Sequence, residues 1–326
     1  MNKVAQSKVH PSIEVLICTH NRSSLLKNAL IHLNQAQRPR GIGVSIFVAA
    51  NNCTDATVHL LHLYNRFANV RDLLPLRFIE VPAPGKSNAL NASIPELSGD
   101  YIACVDDDHR IDTNYFLEIV NAFDKHVDAT IFCGKILPDW DGTEPSWVHD
   151  SGQYRIYPLP VPKFDHGEAG FVVGKDTVTP GGGNLVVKRH ALVRVGRFDN
   201  TLGPVGHDLG GAEDIDWVKR ALNGGEILRY IPKIVQYHYV DGSRLTTTYV
   251  VRKAYGRTLS TMKVRSDISP QDRFPMYMLR KFIEYAAHLL APNSADVRRY
   301  YLVRSTAALA EIIGFMQTRR ILRRKQ

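Results

Sequence analysis

Three consecutive carboxylates, Asp106, Asp107 and Asp108, directly follow a short apolar run, Tyr101–Val105, that predicts a buried strand. Adjacent negative charges repel one another, so they are easiest to retain where a cation or the donors of a bound ligand offset the repulsion. In α/β proteins, ligands bind outside the carboxyl ends of the strands, which is where these carboxylates are expected. A solvated acidic turn before a helix that starts near Asn114 is the alternative, and this stretch alone does not decide between them.

A second pair of carboxylates, Glu213 and Asp214, lies at the predicted N-terminus of a helix, where negative charge stabilises the helix dipole. The glycine-rich loop before it, at 203–211, would also let a ligand approach, and a carboxylate in a cleft is what a general base needs.

His238 ends the apolar run Ile231–Tyr237. It is either a ligand to a cation at the three carboxylates or a hydrogen-bonded structural histidine.

Two glycine motifs that suggest nucleotide binding fail on their spacing. Gly85-Lys86-Ser87 would need a glycine at position 80 to be a phosphate loop, and that position is Glu80. The run Gly181–Gly183 precedes a predicted strand and not a helix, so it is not a dinucleotide fingerprint. Lys86 remains either a point charge for a phosphate or an ordinary exposed lysine.

The composition is that of a folded, basic protein. The 326 residues are 44% hydrophobic and 22% charged, with a formal net charge of +9 and a pI of about 9.3. Such a charge fits contact with phosphates, nucleic acid or an anionic membrane surface. No motif combines base-stacking aromatic residues with basic ones, so nucleic-acid binding is disfavoured. Basic residues crowd the C-terminus at Arg319, Arg320, Arg323, Arg324 and Lys325.

The cysteines and the N-terminus indicate a reducing compartment. Cys18, Cys53, Cys104 and Cys133 are far apart and show no Cys-x-x-Cys spacing. This pattern predicts core residues and not disulfides or a zinc site. Met1–Pro11 lacks the apolar stretch of a signal peptide, and no segment approaches the roughly 18 apolar residues of a membrane span. We therefore expect a cytoplasmic protein.

Strand and helix patterns alternate in the first part of the chain. Helical patterns follow each of four predicted strands, at Ser12–Cys18, Val44–Ala50, Leu76–Val81 and Tyr101–Val105. This alternation predicts right-handed βαβ units and a parallel sheet.

The alternation of strand and helix patterns ends after the fourth strand. A strand is predicted at Thr130–Ile136, followed by an irregular region at 138–178 of the kind that often forms a substrate-binding surface or a mobile loop. Further strands are predicted at Leu185–Lys188 and within Glu226–His238. Beyond Arg244 the pattern predicts basic amphipathic helices.

Taken in chain order, the motifs resemble those of the family-2 glycosyltransferases with the GT-A fold. Each piece is common by itself, whereas the ordered set is specific. The pieces, between about Ser12 and Arg257, are Thr19-His20-Asn21-Arg22, Asn51-Asn52-Cys53-Thr54-Asp55, Gly85-Lys86-Ser87-Asn88-Ala89-Leu90-Asn91, Asp106-Asp107-Asp108, Gly183-Asn184, Gly196-Arg197-Phe198-Asp199, Glu213-Asp214-Ile215-Asp216-Trp217 with Arg220, and His238 with Arg244.

The resemblance implies an α/β fold in which helices flank a mixed central sheet and a helical extension follows. It implies a catalytic domain at 1–256, with a nucleotide-sugar half at about 12–110 and an acceptor half at about 129–256. A basic amphipathic helical region would then occupy 257–326.

The resemblance also implies an activity, the inverting transfer of a sugar from a nucleotide-diphosphate sugar to a hydroxyl of a glycan or lipid-linked acceptor in polysaccharide biosynthesis. Asp106 would meet the ribose or the metal. Asp108 and His238 would bind a Mn²⁺ or Mg²⁺ ion at the diphosphate, and Asp214 would be the general base. Asp107 belongs to the same stretch without a role of its own.

The other residues that the resemblance places in the site fall into two groups. The nucleotide-sugar pocket would contain, besides Asp106 and Asp107, the residues Thr19, His20, Arg22, Asn51, Lys86 and Asn91. The region of the acceptor or the donor sugar would contain Gly183, Asn184, Glu213, Trp217 and Arg244.

One departure from the family pattern concerns the nucleotide base. Many members have two acidic residues after the second strand, where this chain has Ala50 and Asn51. An asparagine side chain can still accept a hydrogen bond from a uracil N–H and donate another. Uridine is therefore the expected base, while guanosine and thymidine stay open.

Two readings of the C-terminal helices remain. They resemble the membrane-surface tails of bacterial enzymes that act on lipid-linked intermediates, which would place the protein on the inner face of the cell membrane. Equally, they fit a helical pair packed on the catalytic domain with a solvated charged end. The competing function is a non-catalytic protein that binds nucleotide sugars or anionic surfaces.

Overall fold

The computed structural model describes residues 11–175, 177, 180–202, 213–263 and 268–325. The chain divides into two compact units. The first is drawn from Met1–Asp139 and Lys163–Tyr239, and the second from Trp140–Pro162 and Val240–Gln326. The functional boundary expected at 256 stays a prediction. The glycine-rich loop predicted at 203–211 lies outside the described residues.

The strands of the first unit, taken over the described ranges, form one nine-stranded sheet. They are β1 (Ile13–Thr19), β2 (Val44–Asn51), β3 (Leu76–Val81), β4 (Tyr101–Cys104), β5 (His109–Ile111), β6 (Ile131–Asp139), β7 (Phe171–Val172), β8 (Leu185–Lys188) and β9 (Leu228–Tyr239).

Helices accompany the sheet and make up most of the second unit. Those of the first unit are α1 (Ser23–Gln35), α2 (Thr57–Ala68), α3 (Lys86–Ser93), α4 (Tyr115–Lys125), α5 (Arg189–Val195) and α6 (Glu213–Asn223). Those of the second unit are α7 (Thr247–Lys263), α8 (Met276–Leu290) and α9 (Ala295–Lys325).

The sheet is mixed, with the order β3-β2-β1-β4-β8-β6-β9-β5 and with β7 paired to β9. The first four strands are mutually parallel, as the strand-helix alternation predicts. The direction changes at β8, which runs antiparallel to both β4 and β6. At the far edge β5 pairs antiparallel with β9. The prediction of a mixed central sheet flanked by helices is therefore confirmed.

Burial explains why the central strands are mostly apolar. Every residue of β1 except Cys18 is buried, because the parallel part of the sheet is covered on both faces. On one face α1 contributes a stripe with the 3.6-residue helical period, formed by Leu26, Ala29, Leu30 and Leu33.

A buried carboxylate fixes the approach to β4. Glu14, the second residue of β1, is fully buried and accepts hydrogen bonds from the backbone N–H groups of Ser98 and Gly99 at 2.7 and 2.9 Å. Its other oxygen accepts from Arg77 at 2.8 Å. A Cβ added at Gly99 would lie 2.5 Å from the Cβ of Glu14, so only glycine fits there. These contacts hold the turn that leads into β4 against β1.

Most of the irregular region predicted at 138–178 belongs to the second unit. Its Trp147 and Ile156 share an apolar cluster with Leu245 and Val250, which lie beyond β9 in the chain. The sequence does not reveal this partnership, because the two segments are separated by the last part of the sheet. In the part of the chain that the structure describes, no helix is long and apolar enough to cross a membrane.

Candidate functional site

The three carboxylates lie just past the carboxyl end of β4, beside the ends of β1 and β2 in the parallel part of the sheet. Asp106 accepts a hydrogen bond from the ammonium group of Lys86 at 2.9 Å. Lys86 begins α3 directly after Gly85, whose φ of +122° is a conformation that favours glycine. Burial opposes the charge on Asp106, but the attraction of Lys86 prevails and lowers the pKa of this carboxyl below its usual range.

Asp107, for which the sequence gives no role, ties two strand ends together. One carboxylate oxygen accepts from Thr19 Oγ1 at 2.7 Å, and the other accepts from Arg22 at 3.0 Å. Thr19 ends β1, and Arg22 lies between β1 and α1. Burial raises the pKa of Asp107 to about 6, against the opposing effect of Arg22. Asp107 therefore holds the loop after β1 against the loop after β4.

Asp108 faces two histidines. Its oxygens lie 3.6 Å from His238 Nε2 and 4.0 Å from His109 Nε2. One ligand atom from each of these three side chains lies within 4.8 Å of the other two. Asp108 also accepts a hydrogen bond from Arg22 at 3.0 Å. The structure thus brings together the two metal ligands that the resemblance implies and places a third candidate ligand, His109, beside them.

Hydrogen bonds fix which nitrogen of each histidine faces Asp108. His109 Nδ1 lies 2.6 Å from Gln236 Oε1, and the Gln236 amide donates to the carbonyl of Cys104 at 3.1 Å, so its oxygen is the atom facing the ring. His109 Nδ1 must therefore carry the proton. His238 Nδ1 lies 2.6 Å from the carbonyl of Tyr239 and must donate as well. In the neutral rings both Nε2 atoms present a lone pair toward Asp108, as metal-binding histidines do.

The cluster fits a divalent cation. One carboxylate and two imidazoles, each held by a hydrogen bond on its other nitrogen, are a typical donor set for a first-row metal such as Mn²⁺, whereas Mg²⁺ prefers oxygen ligands. Burial lowers the pKa of His238, which keeps its ring neutral and able to coordinate at pH 7. His109 was missed from the sequence because its proximity to His238 depends on strand pairing. The two residues are directly opposite in the antiparallel pair of β5 and β9.

The second carboxylate, Asp214, is joined to the first group by a glycine loop. The N–H of Gly182 donates to one oxygen of Asp214 at 2.6 Å, and the N–H of Ile215 donates to the other at 2.7 Å. A Cβ added at Gly183 would lie only 2.2 Å from an oxygen of Asp106. Adjacent residues of one loop therefore touch Asp106 and Asp214, and the loop sets the spacing of these two carboxylates.

Glu213 lies beside the same loop and is buried. It is 2% exposed, and among the described residues its Oε2 has no hydrogen-bond partner. Burial raises the pKa of Glu213, while Lys86 acts in the opposite direction. Both residues line a cavity of about 30 Å³ that also borders Asp106 and Asp214. Glu213 is thus a buried carboxyl with a raised pKa, next to an Asp214 held by two backbone donors.

Gly183→Ala is expected to damage the site. The added methyl would collide with Asp106, and relief would require moving the carboxylate or the loop, at a cost of about 1–3 kcal/mol in unfolding free energy. Thermal unfolding and calorimetric binding of UDP with Mn²⁺ measure the two effects. The matched control is Gly256→Ala in α7, where no atom of the described residues outside the adjoining helix backbone lies within 4 Å of the added Cβ. Wild-type stability and affinity in Gly183→Ala would show that the close packing is unimportant.

The side chain of Asn51 is hydrogen-bonded to backbone groups. Its Nδ2 donates to the carbonyls of Val81 and Ala83 at 3.2 and 2.6 Å, and its Oδ1 accepts from the N–H of Gly85 at 2.8 Å. The side chain therefore shapes the loop that delivers Lys86. His20, also expected in the nucleotide pocket, places Nδ1 at 2.7 Å from the Asn51 carbonyl.

Two further asparagines form hydrogen bonds to the backbone of distant segments. Asn91 donates to the carbonyl of Phe198 at 2.9 Å and accepts from its N–H at 2.8 Å. Asn184 makes the same two-way contact with Gly134, accepting at 3.2 Å and donating at 2.5 Å. Both side chains are buried. Asn184 in this way ties the glycine loop to β6.

Trp217 belongs to the first unit and Arg244 to the second. Trp217 is fully buried, stacks on Phe198 with ring centroids 5.6 Å apart, and donates to the carbonyl of Gly196 at 2.9 Å. It contributes an apolar wall to the cavity near Asp214. Arg244 belongs to the second unit, where its guanidinium lies 3.5 Å from Asp241.

Comparison with known sequences points to one family. The family model described as Glycosyl transferase family 2 matches residues 14–196, which is more than half of the chain. A curated relative, the probable glycosyltransferase YdaM of Bacillus subtilis (strain 168), is 22% identical over 243 residues. The alignment covers 70% of this chain and 50% of the relative, so the chain spans about half the length of that protein.

Solved structures show the same fold. S. aureus TarS 1-349 in complex with UDP has a TM-score of 0.53 and 15% identity, over 97% of this chain and 92% of that chain. The mannosyltransferase PcManGT from Pyrobaculum calidifontis, in complex with GDP-Man and Mn²⁺, has a TM-score of 0.52 and 17% identity, over 95% and 88%. These likenesses confirm the predicted GT-A fold, and the family match shows that the chain belongs to glycosyl transferase family 2.

Proposed function

We propose that this chain is a metal-dependent, inverting glycosyltransferase that moves a sugar from a nucleotide-diphosphate sugar to a hydroxyl of a glycan or lipid-linked acceptor. The observation that carries the proposal is the glycine loop, which touches Asp106 through Gly183 and holds Asp214 through Gly182. A group suited to the leaving diphosphate and a group suited to the attacking hydroxyl therefore share one wall. A protein that only binds nucleotides has no need for the second group.

The charged residues divide the work between them. Asp108, His109 and His238 would hold the cation, which supplies positive charge to offset the charge that grows on the leaving diphosphate. Lys86, paired with Asp106 and close to the cavity, offers a further positive charge to the phosphates.

Asp214 performs the proton transfer. Its carboxylate takes the proton of the acceptor hydroxyl while that oxygen forms a bond to the anomeric carbon. The bond from the anomeric carbon to the diphosphate oxygen breaks, and the nucleoside diphosphate leaves with the electron pair. Attack from the face opposite the leaving group inverts the configuration. The two backbone N–H donors on Asp214 fix its orientation for this step.

We propose uridine diphosphate as the carrier of the sugar. TarS is solved with UDP and with UDP-GlcNAc, which supports this choice, while PcManGT holds GDP-Man and Mn²⁺ and keeps guanosine as the competing base. Asn51 supports the base pocket indirectly, because its amide already serves the backbone of the loop before α3.

A calorimetric panel of UDP, GDP and dTDP, each with Mn²⁺ and with chelator, tests the proposal. We expect UDP to bind best and its affinity to fall when the metal is removed. Binding of no nucleotide in any condition would refute the proposed function. Nucleotide binding followed by an absence of transfer to any acceptor would favour the alternative, a non-catalytic binder of nucleotide sugars.

The distribution of charge supports a location on an anionic membrane surface. Residues 247–326 contain 16 Lys and Arg against 5 Asp and Glu, a formal charge of +11, whereas the other 246 residues together carry −2. Along α8 an exposed apolar stripe follows the helical period, with Met276, Leu279, Ile283 and Leu290. Basic charge beside an exposed apolar helix face is the usual combination in helices that lie in a membrane surface.

Replacing Ile283 and Leu290 with aspartate is expected to reduce binding to phosphatidylglycerol vesicles at low salt about tenfold, because apolar burial is lost and negative charge is added. Co-sedimentation measures the effect. The matched control carries aspartate at Val70 and Val127, which are 83% and 75% exposed in the first unit. Equal losses in the two double variants, or none in either, would favour helices that simply pack within their own unit.

A further inference from the structure

Arg22 bridges two of the three carboxylates. One nitrogen of its guanidinium lies 3.0 Å from Asp107 Oδ1 and 3.0 Å from Asp108 Oδ2. The two acids differ in their other contacts. Asp107 is buried and also bonded to Thr19, whereas Asp108 has the histidines of the cation cluster as its other neighbours. Arg22 therefore connects a structural carboxylate with a cation-binding one.

The contact with Asp108 uses the oxygen that faces His238. That same Oδ2 lies 3.6 Å from His238 Nε2, inside the cluster suited to a divalent cation. A guanidinium and a divalent cation at one carboxylate oxygen repel each other strongly at contact distance. A cation that binds here must therefore displace Arg22 from Asp108 or bind against its charge.

Arg22 is able to leave. Its side chain is 45% exposed, while those of Asp107 and Asp108 are 5% and 15% exposed. Rotation about its own side-chain bonds would release Asp108 without breaking the bond between Thr19 and Asp107. A guanidinium also matches the geometry of phosphate oxygens, which offers it a new partner when a diphosphate arrives.

We propose that Arg22 is a placeholder cation, which occupies Asp108 in the free protein and is transferred to the diphosphate when the metal and the nucleotide bind together. The proposal rests on the proposed function, since it needs a nucleotide diphosphate as the second partner. It makes Arg22 a positioning residue that couples the two ligands. Metal alone binds weakly because it competes with Arg22, and nucleotide strengthens metal binding by drawing Arg22 away.

Such coupling is reciprocal, since each ligand must raise the affinity of the other by the same factor. Removal of Arg22 acts on two quantities in opposite directions. Metal alone gains affinity, because its competitor is gone. The enhancement by nucleotide shrinks, because nucleotide no longer has a competitor to remove. Removal of a residue with a purely structural role would instead lower the affinity for metal both without and with nucleotide.

Arg22→Gln tests this with a readout that needs no catalysis. The dissociation constant of Mn²⁺ is measured by electron paramagnetic resonance of the free ion, without nucleotide and with saturating UDP. We expect Arg22→Gln to bind Mn²⁺ alone about tenfold more tightly than wild type, and the enhancement by UDP to fall by about the same factor. Arg22→Lys keeps the charge and should stay close to wild type in both measurements.

Arg110→Gln is the matched control for loss of one positive charge near the site. Arg110 lies on β5, next in sequence to His109, but its guanidinium is bonded to Asp139 at 2.6 and 2.9 Å. It should change Mn²⁺ affinity less than Arg22→Gln does.

Three results would overturn the placeholder role. In the first, Arg22→Gln binds Mn²⁺ alone no more tightly than Arg110→Gln. In the second, the enhancement by UDP is unchanged in Arg22→Gln. In the third, Arg22→Lys, which tests the role if the glutamine variant does not fold, behaves as though the charge had been lost. In each case nucleotide binding by the wild type would leave the proposed function standing, whereas its absence would remove both.

Discussion

Asp214→Asn is expected to lower the rate of sugar transfer by about 10²–10⁴-fold, the usual contribution of a general base. The asparagine is nearly isosteric, and its amide oxygen can still accept the Gly182 N–H, so the contact with the loop is kept while the contact with the Ile215 N–H is lost. The amide cannot take a proton from the acceptor hydroxyl. The loss should therefore appear in kcat, while the affinity for UDP with Mn²⁺ stays close to that of the wild type.

The matched control for this change is Asp216→Asn, two positions further along the first turn of α6. Asp216 pairs with Arg220 at 2.8 Å and is partly exposed, so its replacement should leave transfer near normal. Single-turnover kinetics and calorimetry of the two variants separate chemistry from binding. Near-normal transfer by Asp214→Asn would rule out its assignment as the base.

Asp108→Asn is expected to abolish the dependence of nucleotide binding on metal. The change removes the charged member of a three-ligand cluster, which should weaken Mn²⁺ binding by about 100-fold or more, beyond the loss typical of a supporting residue. Affinity for UDP in the presence of Mn²⁺ should then fall to the value measured for the wild type in chelator. In chelator itself the variant and the wild type should be similar.

Asp139→Asn controls for loss of a carboxylate close to the cluster. Asp139 ends β6, and its carboxylate pairs with Arg110 of β5 at 2.6 Å. It should keep the metal dependence of the wild type. If Asp108→Asn lost affinity equally with Mn²⁺ and with chelator, Asp108 would have a role in folding or in nucleotide contact and none in metal binding.

Local pattern was sufficient to predict seven strands of the sheet, but not the short strands β5 and β7. The apolar run before Asp106 and the helical period of Leu26, Ala29, Leu30 and Leu33 each depend on residues close in sequence, and the structure confirms both. The mixed sheet came only from the family resemblance, because the reversal at β8 depends on which distant strands pair.

Long-range pairing also explains what the sequence could not reveal about the site. In the sequence His109 is only the residue after an acidic run. The register of β5 and β9 places it opposite His238. Asp107 gains its role through Thr19 and Arg22, more than 80 positions earlier in the chain.

The roles of asparagine side chains are also hard to predict from the sequence. Asn91 and Asn184 match the family motifs, but residue type does not tell whether an amide meets a ligand or a backbone. In the structure both are buried and bonded to backbone groups of another segment, at Phe198 and Gly134. A sequence cannot distinguish these uses, since the partner backbone is brought there by the fold.

The loop Gly181–Gly183 has a consequence for attempts to redesign this protein. Libraries that seek a new acceptor usually vary the residues around the base, and Gly182 is among the nearest of them. Its neighbour in the chain packs against Asp106, so a side chain introduced at Gly183 would disturb the donor end as well. Under the proposed function, specificity for the donor and for the acceptor is therefore not separable at this loop. Directed evolution of the acceptor should leave these glycines fixed and sample the remaining walls of the cleft.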